Sequence, residues 1–153
     1  MMTTSIPEMS IGYQQVVEAL GDAVVICGPD GVIRFWNAAA ERLFGFAPTE
    51  ALGSSLDLIV PERLRERHWA GFDKAIAAGQ TRYDHDVLHV PATHKDGRAL
   101  SIAFTVGLLL GPERQVTGLV AVIRDDTKRF AEERHLRQRL AELENRFSAQ
   151  APR

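Results

Sequence analysis

A chain of 153 residues, 45% hydrophobic and 25% charged with a formal net charge of −2, has the composition of an ordinary globular domain with room for one core. That balance excludes the strongly basic surface that nucleic acid selects, and neither a membrane-length apolar run nor a signal-peptide pattern is present, so the expected compartment is the cytoplasm with no membrane partner. The single cysteine, Cys27, excludes an intrachain disulfide and a cysteine-based zinc site; set in an apolar run, it reads as an inert buried thiol.

Residues 1–10 are polar and read as a loose end. From Ile11 to Leu20 the apolar residues fit a short amphipathic helix, which either caps the domain or pairs with another copy. Asp22 to Cys27 and Val32 to Trp36 are strand-like and flank the turn Gly28-Pro29-Asp30-Gly31, whose Asp-Gly pair is a hairpin signal. Asn37 is placed to cap a helix over Ala38 to Phe44 that Gly45 closes, with Ala40, Leu43 and Phe44 facing inward. Ala47 to Leu52 suggests another helical turn, and Gly53 to Val60 a loop or short turn.

The next helix is the informative one. Pro61-Glu62 is a start signal, because proline lacks only an amide that is orphaned there and the acid suits the positive helix end; the helix should run to Ala78 and stop at Gly79. Leu64, His68, Phe72, Ala75 and Ile76 fall on one face, with most of the charge elsewhere. His68 therefore points inward, as a core histidine satisfied by a hydrogen bond or as a ligand to something held in the core. After Gly79, Arg82 to Thr93, Ala99 to Leu110 and Gln115 to Arg124 read as three strands of an antiparallel meander; Leu100, Ile102, Phe104, Val106 and Leu108 alternate on one face of the middle strand. A charged helix follows from Lys128, with Leu136, Leu140, Leu143 and Phe147 at 4-3-4 spacing; it is either a coiled-coil seam or a solvated helix packed on its own domain. The fold class is α+β, one sheet covered by helices.

Asp22-Ala23-Val24-Val25, Gly28-Pro29-Asp30-Gly31, Trp36-Asn37-Ala38-Ala39-Ala40-Glu41-Arg42-Leu43-Phe44-Gly45, His94-Lys95-Asp96-Gly97 and Arg124-Asp125-Asp126-Thr127 resemble, in that order, the signature of a PAS domain of the S-box type. The resemblance implies a five-stranded antiparallel sheet with covering helices around a ligand pocket, and a sensory module rather than an enzyme. The organisation it suggests is a flexible start (1–10), a cap helix (11–20), the sensor domain (21–127), a signalling helix (128–148) and a tail (149–153).

Within that family, Pro61 to Gly79 is similar to the haem-binding PAS domains of oxygen-sensor kinases, where Pro-Glu and a basic stretch precede the histidine that ligates iron. The resemblance implies haem b as cofactor, His68 as the iron ligand, and Lys74 and Arg82 as partners of the propionates. Where those sensors carry an arginine that donates to bound oxygen, Leu88 stands here, and the matching positions Phe104 and Val106 on the next strand are apolar as well. Weak oxygen binding, or preference for carbon monoxide or nitric oxide, is the expectation. Asp86, if inward, must be paired or protonated. His85, His89 and His94 read as surface histidines. The implied partners are a diatomic gas, a second copy paired through the terminal helices, and a downstream signalling domain or protein, since no kinase, cyclase or DNA-binding domain fits in the remaining residues. The rival reading is a haem-free PAS module for protein interaction, dimerisation or another small ligand. A flavin photosensor would need its cysteine in an Asn-Cys-Arg setting, which Cys27 lacks.

Overall fold

Alternation of apolar residues along five segments places them in one antiparallel sheet, and the computed structural model, which describes residues 10–150, shows how they pair. The strands are β1 (Ala23–Cys27), β2 (Ile33–Trp36), β3 (Leu88–Thr93), β4 (Ala99–Leu110) and β5 (Val116–Asp125), in the order β2-β1-β5-β4-β3. The last strand thus lies in the centre, beside the first, with Val25 opposite Ala121 and Cys27 opposite Leu119. The expectations for residues 1–9 and 151–153 lie outside the described residues.

The helices are α1 (Tyr13–Ala19), α2 (Ala38–Phe44), α3 (Pro48–Ala51), α4 (Arg65–Ala78) and α5 (Thr127–Gln150), the last ending two residues beyond the expected 148. Local chemistry sets their ends. Asn37 accepts from the Ala40 amide at 2.9 Å and starts α2, and Gly45 ends it in the left-handed region at φ 82°. Gly79 does the same for α4 at φ 64°.

Two expectations need correction. Glu62–Leu64 forms a 3-10 turn, so that the regular helix starts at Arg65, while Pro61 stands before it as the cap. Arg82 to Val87 is no strand: the Thr81 hydroxyl accepts from the Tyr83 amide and starts a 3-10 turn over Arg82–Asp84, and the Asp86 amide donates to the Arg82 carbonyl at 3.0 Å. These local bonds take up backbone groups that a strand would have offered to a neighbour, and β3 begins only at Leu88.

The sheet's inner face carries two apolar clusters. The larger lies under α2 and α3 and contains Val25, Ile33, Trp36, Phe44 and Ile102; the smaller lies under α4 and contains Cys27, Phe72 and Leu119. The inward face of β4 spans both, with Leu100, Ile102 and Phe104 in the first and Val106 and Leu108 in the second. At the exit of the sheet, Arg124 donates twice to the Asp22 carboxylate at 3.1 Å. Beyond it the Asp126 amide donates to the Ser101 carbonyl and the Ser101 amide to Thr127 Oγ1, which anchors the start of α5 to β4.

Candidate functional site

The side chains of α4 that face the sheet are set by helical spacing. Phe72 is buried and Leu64, His68, Ala75 and Ile76 are half-buried, while Arg63, Glu66, Arg67, Asp73 and Lys74 are exposed. Trp69, one residue beyond His68, also turns inward, which the periodicity did not show. Its indole N–H donates to Asp57 Oδ1 at 2.8 Å, and its ring lies over Gly31, where a Cβ would come within 2.2 Å of it. The first hairpin therefore needs glycine at Gly31 for two reasons: its φ of 76° and the indole above it. The loop before α4 is tied down by Arg65, which donates to the Val60 and Asp57 carbonyls at 3.2 Å.

His68 sits among rings. Its imidazole meets Trp69 edge-on, with centroids 4.8 Å apart, and Phe72 at 6.1 Å. Its Nδ1 is buried without a hydrogen-bond partner, the one such side-chain nitrogen or oxygen among the described residues. Burial holds its pKa below the ordinary value, against a smaller upward pull from Asp57, so the ring is neutral near pH 7. The core-histidine reading asked for a satisfied ring; this ring is not satisfied at Nδ1.

The other expected site residues are distributed unevenly. Leu88 opens β3 directly opposite Phe104, so these two share the inner face with Val106, two residues further along β4. Val106 joins Phe72 and Trp69 in the smaller cluster. Leu88, Phe104 and Val106 carry no hydrogen-bond donor. Lys74 and Arg82 stay outside this group: both are exposed, and Arg82 donates to the Tyr83 hydroxyl at 2.9 Å.

Asp86 is exposed, near His85, so it does not point inward and needs no buried partner. His85 and His89 are surface residues, His89 lying 3.3 Å from Asp126. His94 departs from the surface expectation: it is only 15% exposed, its Nδ1 accepts from the Asp96 amide, and its ring lies against Gly45. The Cys27 thiol is buried and its pKa is pushed up to about 11, chiefly by that burial, which fits an inert group.

Asn37 does more than cap a helix. Fully buried, it accepts from the Val24 and Ala40 amides and donates to the Val17 and Asp22 carbonyls at 2.9 and 3.1 Å, which joins α1, β1 and α2 at one side chain. A surface hollow of about 290 Å³ opens near this junction, lined by Asp22, Arg42, Arg124 and Asp125, away from α4.

Comparison with known proteins agrees with the topology. The sensor protein FixL of Bradyrhizobium diazoefficiens is 29% identical over 135 residues, 85% of this chain and 25% of the relative. The oxygen sensor protein DosP of Escherichia coli is 26% identical over 114 residues, 74% of this chain and 14% of the relative. The chain thus spans a quarter or less of the length of these relatives. Among solved structures, a PAS domain from Colwellia psychrerythraea superposes with a TM-score of 0.67 at 23% identity, covering 75% of this chain and 94% of that one. No helix of the described residues is long and apolar enough to cross a membrane. Residues 17–131 match the family described as the PAS fold, and the chain belongs to that family as a PAS sensor domain.

Proposed function

We propose that this PAS domain binds haem b through His68 and detects a diatomic gas, or the redox state of the iron, passing the signal to α5. One observation carries this reading: a neutral imidazole on a regular helix, walled by Trp69 and Phe72, with a buried nitrogen that nothing in the protein satisfies. Neutral imidazole is the form that ligates iron, so the donor chemistry fits the group. Likeness to a protein named as an oxygen sensor supports it further.

Bound haem would supply an iron whose open coordination position accepts oxygen, carbon monoxide or nitric oxide. The chain's own residues would do the rest. Asp57 holds Trp69 beside His68 and so restrains the imidazole; Phe72, Val106 and Leu108 keep water out. Lys74 and Arg82, both exposed, would hold the propionates at the surface. Leu88, Phe104 and Val106 offer no donor to a partly negative oxygen ligand, which supports weak oxygen binding and a preference for carbon monoxide or nitric oxide. Output would follow β4, which carries Phe104 and Val106 and, at Ser101, holds the base of α5.

A haem-free interaction module is the second reading, favoured by the direct packing of Phe72, Trp69 and Ile76 with Val106, Leu108 and Leu119. The absorption spectrum of protein expressed with ample haem separates the two. An intense Soret band that is lost or strongly shifted in His68→Ala is expected; colourless protein that takes up no added haem would overturn the haem reading. In the coloured protein, Leu88→Arg should tighten oxygen binding by at least about tenfold.

A further inference from the structure

Asp57 lies in the 3-10 turn Leu56–Leu58 that leads toward α4, and it is held from three sides. Its amide donates to Ser55 Oγ at 3.2 Å, its carbonyl accepts from Arg65 Nη2 at 3.2 Å, and its Oδ1 accepts the Trp69 indole N–H at 2.8 Å. The closer contacts of the Arg65 guanidinium go to backbone carbonyls, and its Nε stays 3.9 Å from Asp57 Oδ1. The carboxylate's short bond therefore goes to a neutral donor, and no close ion pair cancels its charge. That donor is the ring that meets His68 edge-on and lies over Gly31. Burial lowers the His68 pKa, and Asp57 is the charged group whose field pulls it back up.

We propose that Asp57 sets the redox preference of haem bound at His68, its negative charge favouring ferric iron, and that Trp69, anchored by Asp57, fixes the plane of the His68 imidazole. This rests on the haem reading and adds to it a pair of positioning residues on the ligand's own side. A negative charge near the iron stabilises the more positive oxidation state, and the groups around a ligand, rather than the ligand alone, tune a haem's potential. The indole does a different job. Pinned at its N–H by Asp57 and seated on the glycine of the first hairpin, it leaves the imidazole beside it little room to turn, which is how residues outside the ligand set orient a metal-bound histidine. The Asp57 side chain is 40% exposed, so water weakens its field and the effect on the iron is modest.

Redox titration of the haem-loaded chain, followed by its absorption spectrum, tests the charge; the iron–histidine stretch in resonance Raman spectra of the reduced, gas-free protein tests the orientation. Asp57→Asn keeps an oxygen for the Trp69 indole N–H and removes the charge, so at a fixed potential its ferrous-to-ferric ratio should rise at least about threefold. Asp57→Glu keeps the charge and should stay near the original ratio, which separates charge from misfit. Trp69→Phe keeps a ring beside His68 but has no N–H for Asp57, and its iron–histidine band should shift or broaden. In coloured protein, an unchanged ratio in Asp57→Asn, an equal rise in Asp57→Glu, or an unchanged band in Trp69→Phe would each overturn this proposal and leave the haem reading standing. Protein that takes up no haem, or whose Soret band is unaltered in His68→Ala, would overturn both.

Discussion

The two clusters on the inner face of the sheet are finished to different degrees. Under α2 and α3, Phe44 is fully buried against Trp36 at 5.4 Å between ring centroids, the Trp36 indole donates to the Phe46 carbonyl, and Asn37 uses both ends of its amide. Under α4 the cluster is smaller, several of its members are half-exposed, and His68 Nδ1 is left without a partner. The first side is where the fold gets its rigidity. The second accepts a cost in unsatisfied polarity, the pattern expected where a protein keeps a site for something else.

Substitutions on each side test that contrast. The largest effect should come from Phe44→Ala, which opens a cavity in the sealed cluster and should cost about 4 kcal/mol in urea unfolding; a loss below half of that would show that this side is not the rigid one. Asn37→Ala strands the Val24 and Ala40 amides and leaves the Val17 and Asp22 carbonyls without their donor. It should cost about 3 kcal/mol and speed hydrogen exchange at the C-terminal end of α1, read amide by amide. Phe72→Ala, in the looser cluster where neighbours can collapse, should cost about 3 kcal/mol, less than Phe44→Ala in the same titration.

The smallest effect, and the sharpest test of the second cluster, is that of His68→Leu in protein without haem. Burial depresses the folded pKa of His68, so as pH falls through the ordinary value the unfolded chain takes up a proton that the folded chain refuses. The original protein should therefore lose stability relative to His68→Leu between pH 7 and pH 5, the difference levelling off once the pH passes the folded pKa. At pH 7 the substitution should be close to neutral, since it removes an unpaired polar group. Urea midpoints at the two pH values measure this, and parallel behaviour of the two proteins would show that the imidazole is not held neutral.

Elements whose ends depend on neighbouring residues were legible in the chain. Asn37 and Gly45 bound α2, Gly79 stops α4, and alternation over Leu100 to Leu108 identifies the long middle strand, because capping, left-handed backbone and the two-residue strand repeat act within a few residues. The inward turn of His68 followed from spacing alone. The segment Arg82 to Val87 was misjudged although its determinant is local too: the Thr81 hydroxyl accepts from the Tyr83 amide and so competes with strand formation, where the apolar pattern alone suggested a strand.

Spacing, caps and alternation within the chain account for most of the elements, for the inward side of α4 at His68 and for the family they compose. Only the tertiary structure decided what those faces meet. Asn37 reaches Val17, Trp69 covers Gly31, Leu88 stands opposite Phe104, and His68 Nδ1 finds no partner. None of these follows from a repeat or a cap, because each depends on the register of strands and on helices distant in the chain. The same holds for α5: spacing announced its stripe, and only the fold showed that nothing of its own domain covers it.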